Sequence, residues 1–340
     1  METWVVSNIV VAVLVAGAVW SGVYVRRSEM WAQAARELWR RSPVALLVVS
    51  LYVGIALVDS VSWIGGDGVG EDTVALHEAR SPIDRLFADF REESYSAPLA
   101  AVTFSGETPL LHPGTHLFGT DLLGRDILHQ VLKGARIALL IGGVTSLLAI
   151  PLALFFGVSA GYFGGRTDDA VFFLMSVLSS IPSLLLLIVL VMVMDKSTLS
   201  VCIALAVTSW VGFCRISRGE TLKLRELEYV QAARALGIGP VRIMYRHILP
   251  NLMHLVVITF VLMFSGLVLS EVILSWLGIG VDGSWGRMID QARDELSRDP
   301  IVWWNLSAAG AALFGLLLAV NFVGDAVRDI LDPRTLRENL

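Results

Sequence analysis

Residues 170–194 read AVFFLMSVLSSIPSLLLLIVLVMVM, 25 positions without a single charged side chain. As a helix rising about 1.5 Å per residue, such a run crosses the roughly 30 Å hydrocarbon core of a bilayer. It is too long for a barrel strand, and it lacks the alternation a barrel strand needs. Six further stretches meet the same standard: Trp4–Val25, Val44–Ile64, Arg136–Ala160, Leu199–Phe213, Leu252–Glu271 and Ile301–Val323. Leu199–Phe213 is the shortest of them. The chain as a whole is 55% hydrophobic and 17% charged, with mean hydropathy +0.68, whereas soluble domains carry about 25% charged residues. Lipid is the expected solvent, and only helices or closed barrels satisfy their backbone there. The sequence therefore predicts an all-α membrane protein with seven spans.

The loops carry an orientation. Residues 26–41 hold five arginines (26, 27, 36, 40 and 41) against two glutamates, and basic loops stay in the cytoplasm. Threading the spans alternately from there leaves 16 Lys and Arg inside and 8 outside, with Lys133 and Arg136 at a boundary. The segment 65–132, placed outside, holds 11 acidic residues. The N-terminus is thus expected outside and the C-terminus inside. Trp4–Val25 is preceded by Met-Glu-Thr, not by a basic segment, and no small-residue cleavage site precedes Arg26, so it reads as a retained helix. Cys202 and Cys214 lack metal-ligand spacing and read as apolar packing residues.

Ionisable residues within the spans are few: Asp59 and Glu271 near outer ends, His254 near an inner one. All three read as interfacial groups reaching water. Their scarcity argues against a proton- or sodium-driven secondary transporter, which carries charge at mid-membrane. An intramembrane enzyme is disfavoured too, for lack of His-Glu-x-x-His, Gly-x-Ser-x-Gly or paired mid-span aspartates. No Gly-x-x-x-x-Gly-Lys-Ser/Thr phosphate loop occurs either. Nothing in the chain points to nucleic acid.

The largest loop on the basic side is 214–251. Helix formers run from about Thr221 to Leu236, and Gly237 is placed to end that helix in a left-handed cap. Pro240 suits the first turn of a second helix, and Pro250 is expected to break the chain as it enters the membrane. Two short helices joined by a Gly-Ile-Gly-Pro elbow follow. Ala232, Ala233 and Ala235 would offer a face small enough for a close-fitting partner, and Arg234, Arg242 and Arg246 could pair with acidic groups. The residues alone serve equally for an amphipathic helix lying on anionic lipid. Outside, 65–115 is Gly-rich at 65–70. In Ser81–Phe90, residues Ile83, Leu86, Phe87 and Phe90 fall on one helical face, so an ordered cap, a membrane-lying loop and a solvated connector all remain open.

The loop resembles the Glu-Ala-Ala (EAA) loop of ABC-importer permeases: Gln231-Ala232-Ala233, three residues, Gly237, twelve residues, Pro250, with Gly239 and Pro240 in the elbow. Gln231 stands where the general pattern has glutamate. Further stretches are similar to the dipeptide, oligopeptide and nickel branch, C-type subunit. They include Phe118-Gly119-Thr120-Asp121-Leu-Leu-Gly124-Arg125-Asp126 before a span, Ala160-Gly-Tyr-Phe-Gly-Gly165 followed by Asp168, and Ile181-Pro182. Trp285-Gly286 and Gly324-Asp325-x-x-Arg328-Asp329-x-Leu-Asp332-Pro333 extend the likeness, which covers about 116–334. Phe173 and Ser176 occupy places where relatives often have Arg and Asp, and the stretch between Gly280 and Trp285 is shorter than the family's.

The resemblance implies a six-span type I importer permease core with one extra N-terminal transmembrane helix. Residues 1–42 would hold that helix and a basic cytoplasmic segment, and 43–64 the first core span. An extracytoplasmic segment would follow at 65–132, then the core at 133–324 with its coupling loop 214–251, and a cytoplasmic tail at 325–340. The chain would be a non-catalytic subunit of the bacterial inner membrane importing di- or oligopeptides, with nickel or peptide-like antibiotics as alternative cargo. Gln231, Ala232, Ala233, Arg234, Gly237, Gly239, Pro240 and Pro250 would form the docking element for an ATPase subunit. Gly119, Asp121, Gly124, Arg125 and Asp126 would form the outer motif. Implied partners are a second homologous permease, one or two ABC ATPase subunits binding ATP and Mg, a solute-binding protein and membrane lipid.

Overall fold

The computed structural model describes residues 29–63, 80–88, 92–103, 108–194 and 197–331. The expected span Trp4–Val25, residues 65–79 and the tail from Asp332 lie outside the described residues. Helices α1 (Glu29–Arg41), α2 (Pro43–Ser60), α3 (Pro82–Leu86), α4 (Ile127–Phe163), α5 (Gly165–Ser180) and α6 (Ser183–Val193) come first. After them come α7 (Thr198–Leu224), α8 (Glu228–Ala235), α9 (Pro240–Trp276), α10 (Trp285–Glu295) and α11 (Trp304–Leu331). Among the described residues α2, α4, α7, α9 and α11 are long and apolar enough to cross a membrane; α5 and α6 make a further apolar pair bent by 87°.

That bend corrects the reading of 170–194 as one straight span. Pro182 has no N–H to give, and its ring drives Ile181 out of the helical region, to φ −94° and ψ 129°. The helix ends at Ser180 and restarts at Ser183. Two other boundaries also differ. The short stretch Leu199–Phe213 belongs to a helix of 27 residues, which continues past Phe213 with Cys214, Ser217 and Thr221 buried. The helix expected from Thr221 to Leu236 is interrupted at 225–227, where Leu227 turns extended and caps α8.

The chain divides into two compact units, Met1–Leu139 with Ser275–Ala326, and Leu140–Leu274 with Val327–Leu340. In the first unit Asp59 does not reach water as expected; it is 1% exposed. Its carboxylate accepts from the Ser81 hydroxyl at 2.8 Å and lies 3.4 Å from the Lys133 ammonium and 3.6 Å from the Arg136 guanidinium. A buried carboxylate needs such partners, and these two cations come from the start of α4. Asp84, in a capping box with Ser81 at the start of α3, takes a second bond from Lys133 at 2.6 Å and one from His129 at 3.0 Å. Of the expected Ser81–Phe90 face, Pro82–Leu86 is helical, with Ile83 buried and Leu86 exposed, while Phe90 lies outside the described residues. On α10 the Trp285 indole donates to the Val131 carbonyl at 2.9 Å.

The second unit is held by small residues. Between membrane helices there is little hydrophobic driving force, since lipid tails are as apolar as leucine; close approach and dispersion supply it instead. Gly157 and Gly161 of α4, one turn apart, face Ser217 and Thr221 of α7, also one turn apart. A Cβ on Gly157 would sit 2.1 Å from the Ser217 hydroxyl, and one on Gly161 would sit 2.7 Å from the Arg218 carbonyl. Below this seam Arg218 grips Asp168 with two parallel bonds of 2.5 and 2.6 Å, and Arg225 donates to the Gly161 carbonyl at 2.9 Å. Cys202 and Cys214 are buried thiols, as expected of packing residues. Glu271 on α9, expected to reach water, is 3% exposed.

Gly157→Ala should lower the stability of the detergent-purified protein by about 1–3 kcal/mol through overpacking. Gly143→Ala, where a new Cβ meets nothing within 4 Å, should not; thermal unfolding of the two compares them directly. Burial works against the charged form of Asp84, but hydrogen bonds from His129 and Lys133 outweigh it and hold its carboxyl well below the usual carboxylate range. A depressed carboxyl contributes stability above its ordinary value of 3.8 and loses it as pH falls towards its folded-state value. The melting temperature of the native chain should therefore fall more steeply than that of Asp84→Asn below about pH 4.

Candidate functional site

The loop of the second unit forms a firm elbow. α8 ends in a Schellman motif: Gly237 sits at φ +78°, its N–H bonds the Arg234 carbonyl at 3.0 Å, and the Ile238 N–H reaches the Ala233 carbonyl at 3.1 Å. That left-handed position favours glycine because a side chain there would crowd the following carbonyl. Gly239 caps α9 and Pro240 opens it, with the Ile243 N–H bonding the Gly239 carbonyl at 3.1 Å.

Pro250 does not break the chain, contrary to expectation. α9 runs from Pro240 to Trp276 and passes the proline through one π-helical turn, Met244–Ile248. The Leu249 N–H reaches back five residues to the Met244 carbonyl, and the wider turn makes room for the pyrrolidine ring and its missing donor. Packing fixes this choice, since Ile243, Ile248 and Leu252 are fully buried against Val158 and Tyr162 of α4 and Val230 and Ala233 of α8.

Ala233 thus belongs to the chain's own packing, which corrects its placing on a partner-facing surface. Ala232 and Ala235 are exposed. Gln231, where the general pattern has glutamate, donates its amide to the Glu226 carbonyl at 3.1 Å. A glutamate could not donate there and would face the Glu226 carboxylate. Arg234 lies over the Tyr162 ring at 5.4 Å, and Asn251 donates to the Tyr229 hydroxyl at 3.2 Å. The outward surface also carries large apolar groups that the motif did not single out: Leu236 at 81% exposed, Tyr245 at 75% and Val241 at 70%. Val241 stands two residues from the buried Ile243 and so turns to the opposite face. Leu236 and Tyr245 stand three residues from the buried Ala233 and Ile248, a spacing that gives no signal in the sequence; the helix end after Ala235 and the π turn expose them. Arg242 and Arg246 are exposed beside them.

The outer motif lies in the first unit and forms a separate construction. One Asp121 oxygen accepts from the Leu123 and Arg125 N–H groups, both at 2.8 Å, and the other from Gln130 at 2.9 Å. Asp126 caps α4 by accepting from the His129 N–H at 3.2 Å and meets His116 Nδ1 at 2.8 Å. Gly119 and Gly124 both have positive φ and press against the Ser96 and Glu92 carbonyls. Both carboxylates are thereby engaged in closing this turn onto the start of α4, and Arg125 points to the surface. Among the described residues no group of three or more His, Cys, Asp or Glu could hold a metal ion.

Gly237→Val should cost the elbow about 1–2 kcal/mol from left-handed strain, and Gly237→Asn less. Faster amide exchange across Glu228–Ile238 in the valine variant than in the asparagine variant is the expected reading.

Comparison with known proteins follows this geometry. The family model described as the binding-protein-dependent transport system inner membrane component matches residues 153–337. The oligopeptide transport system permease protein OppC of Bacillus subtilis is 36% identical over 222 residues, 64% of this chain and 72% of the relative. The dipeptide permease DppC of the same organism is 35% identical over 225 residues, 65% and 70%. The glutathione transport system permease GsiD of Pectobacterium atrosepticum is 35% identical over 222 residues, 64% and 73%. A chain from the inward-facing MetNI methionine ABC transporter aligns with TM-score 0.48 at 19% identity, covering 61% of this chain and 98% of that one. With more than half its length matched and relatives covered over more than two thirds, the chain belongs to the family of inner-membrane components of binding-protein-dependent transport systems.

Proposed function

We propose that this chain is one permease subunit of an ATP-driven importer of di- and oligopeptides, lining the pathway together with a second, homologous permease. The relatives named for oligopeptide, dipeptide and glutathione transport support peptide cargo, glutathione being itself a tripeptide. In this reading the N-terminus lies outside and the C-terminus inside. A solute-binding protein delivers cargo from the outer side, and one or two ATPase subunits bind ATP and magnesium.

One observation carries the coupling. The elbow has an anchored underside and an exposed face of Leu236, Val241 and Tyr245 flanked by Arg242 and Arg246. Exposed aromatic and aliphatic anchors ringed by arginine have the composition of a protein interface hot spot. Lipid contact would also suit the charges, but the apolar groups flank a tight cap rather than one amphipathic stripe. Gln231, Ala232, Arg234, Gly237, Gly239 and Pro240 then form the rim and hinge of the ATPase dock, Ala233 its foundation, and Pro250 the π turn behind it. Movement of the dock passes along α9 as a rigid element, because the helix is unbroken from Pro240 onward.

Leu236→Asp and Tyr245→Ala test this. Both side chains are exposed, so the permease should still fold, while affinity for the ATPase subunits should fall by about 10- to 100-fold, with uptake falling alongside. ATPase retention and uptake at native levels in both variants would remove the docking assignment.

A further inference from the structure

The bent pair α5–α6 and α7 border a half-open cavity of about 290 Å³, lined by Ser179, Ile181, Pro182, Ser183, Thr208 and Val211 among others. Thr208 lies ten residues along α7 from its start at Thr198. At 1.5 Å per residue that is about 15 Å, half the thickness of a hydrocarbon core. The break is also the centre of the apolar run 170–194. Ser180, Ile181, Pro182 and Ser183 are all exposed, and the start of α6 carries no side-chain cap. Opened backbone at this depth cannot face lipid, because its polar groups would go unpaired in hydrocarbon; it is tolerated where it meets water or protein.

The lining has a definite chemistry. Ser179 Oγ accepts from the Arg215 guanidinium at 2.9 Å, which leaves its own O–H to donate. Thr208 donates to the Ala204 and Leu205 carbonyls at 3.1 and 3.0 Å, which leaves its oxygen to accept. The donor on Ser179 and the acceptor on Thr208, set with the Ser183 hydroxyl among apolar neighbours, complement the C=O and N–H of a peptide unit. A wall of this kind holds main chain and is indifferent to side-chain identity. Its volume lies at the small end of the roughly 300–1,000 Å³ typical of ligand pockets, so it takes a short stretch of cargo and not a whole oligopeptide.

We infer that the cavity at the Ser180–Ser183 break is this subunit's cargo-contact site in the pathway, with Ser179 and Thr208 meeting the main chain of a passing peptide. The inference rests on the peptide-importer reading above and assigns a site within it.

The test uses the complete importer in proteoliposomes, with Cys202 and Cys214 replaced by alanine and one cysteine introduced as Ser183→Cys or Thr208→Cys. Both thiols should react with a charged, membrane-impermeant methanethiosulfonate. Short oligoalanine peptides at about ten times their Kd should slow that reaction by about tenfold. Ser179→Ala should raise the KM for oligoalanine uptake several-fold more than it changes kcat. If oligoalanine is imported but neither cysteine reacts, or peptide fails to protect either, the cavity assignment is overturned and the importer reading stands. If no ATP-driven oligoalanine import occurs, both are overturned.

Discussion

In hydrocarbon every backbone N–H and C=O must find a partner within the protein, and this chain threads three prolines through apolar helices under that constraint. Pro151 stays inside the unbroken α4. Pro250 is absorbed by a π turn, and Pro182 ends one helix and starts another. Each outcome has a consequence. The first keeps α4 continuous, so that Gly157 and Gly161 meet Ser217 and Thr221 in register. The second makes the elbow and α9 one mechanical element. The third leaves opened backbone and a polar-edged cavity in the middle of an apolar run.

The elbow is stable for a reason independent of what docks on it. Its Schellman cap satisfies the last carbonyls of α8, while Val230, Ala233, Ile243 and Ile248 bury its underside against α4. An element so fixed can transmit a push without dissipating it in local bending. The ion-paired cluster of the first unit is a second rigid element. Lys133 bridges Asp59 and Asp84 and so ties the starts of α3 and α4 to the end of α2.

Much of this was legible in the sequence. Long uncharged runs gave the spans, Gly237 and Pro240 gave the elbow, and the ordered set of motifs from Phe118 onward gave the family. What was not legible depends on contacts distant in sequence. Pro182 and Pro250 obey the same local rule, and only the packing of Ile248 and Leu252 decides that one helix continues through its proline. Asp59 read as interfacial because its partners, Ser81, Lys133 and Arg136, come 22 to 77 residues later. Ala233 read as partner-facing because Val158 and Tyr162, which cover it, come earlier in the chain, with α5, α6 and α7 between. Gln231 read as a departure from pattern; its bond to Glu226 shows that a neutral donor suits this loop.

The account stands on this chain being the membrane part of an ATP-driven peptide importer, and uptake of labelled short peptides tests that most directly. The measurement uses proteoliposomes holding the permease pair, its ATPases and its binding protein. Import should require hydrolysable ATP, stop with a non-hydrolysable analogue, and ignore an imposed proton or sodium gradient. Uptake that persists without ATP and follows either gradient would contradict it.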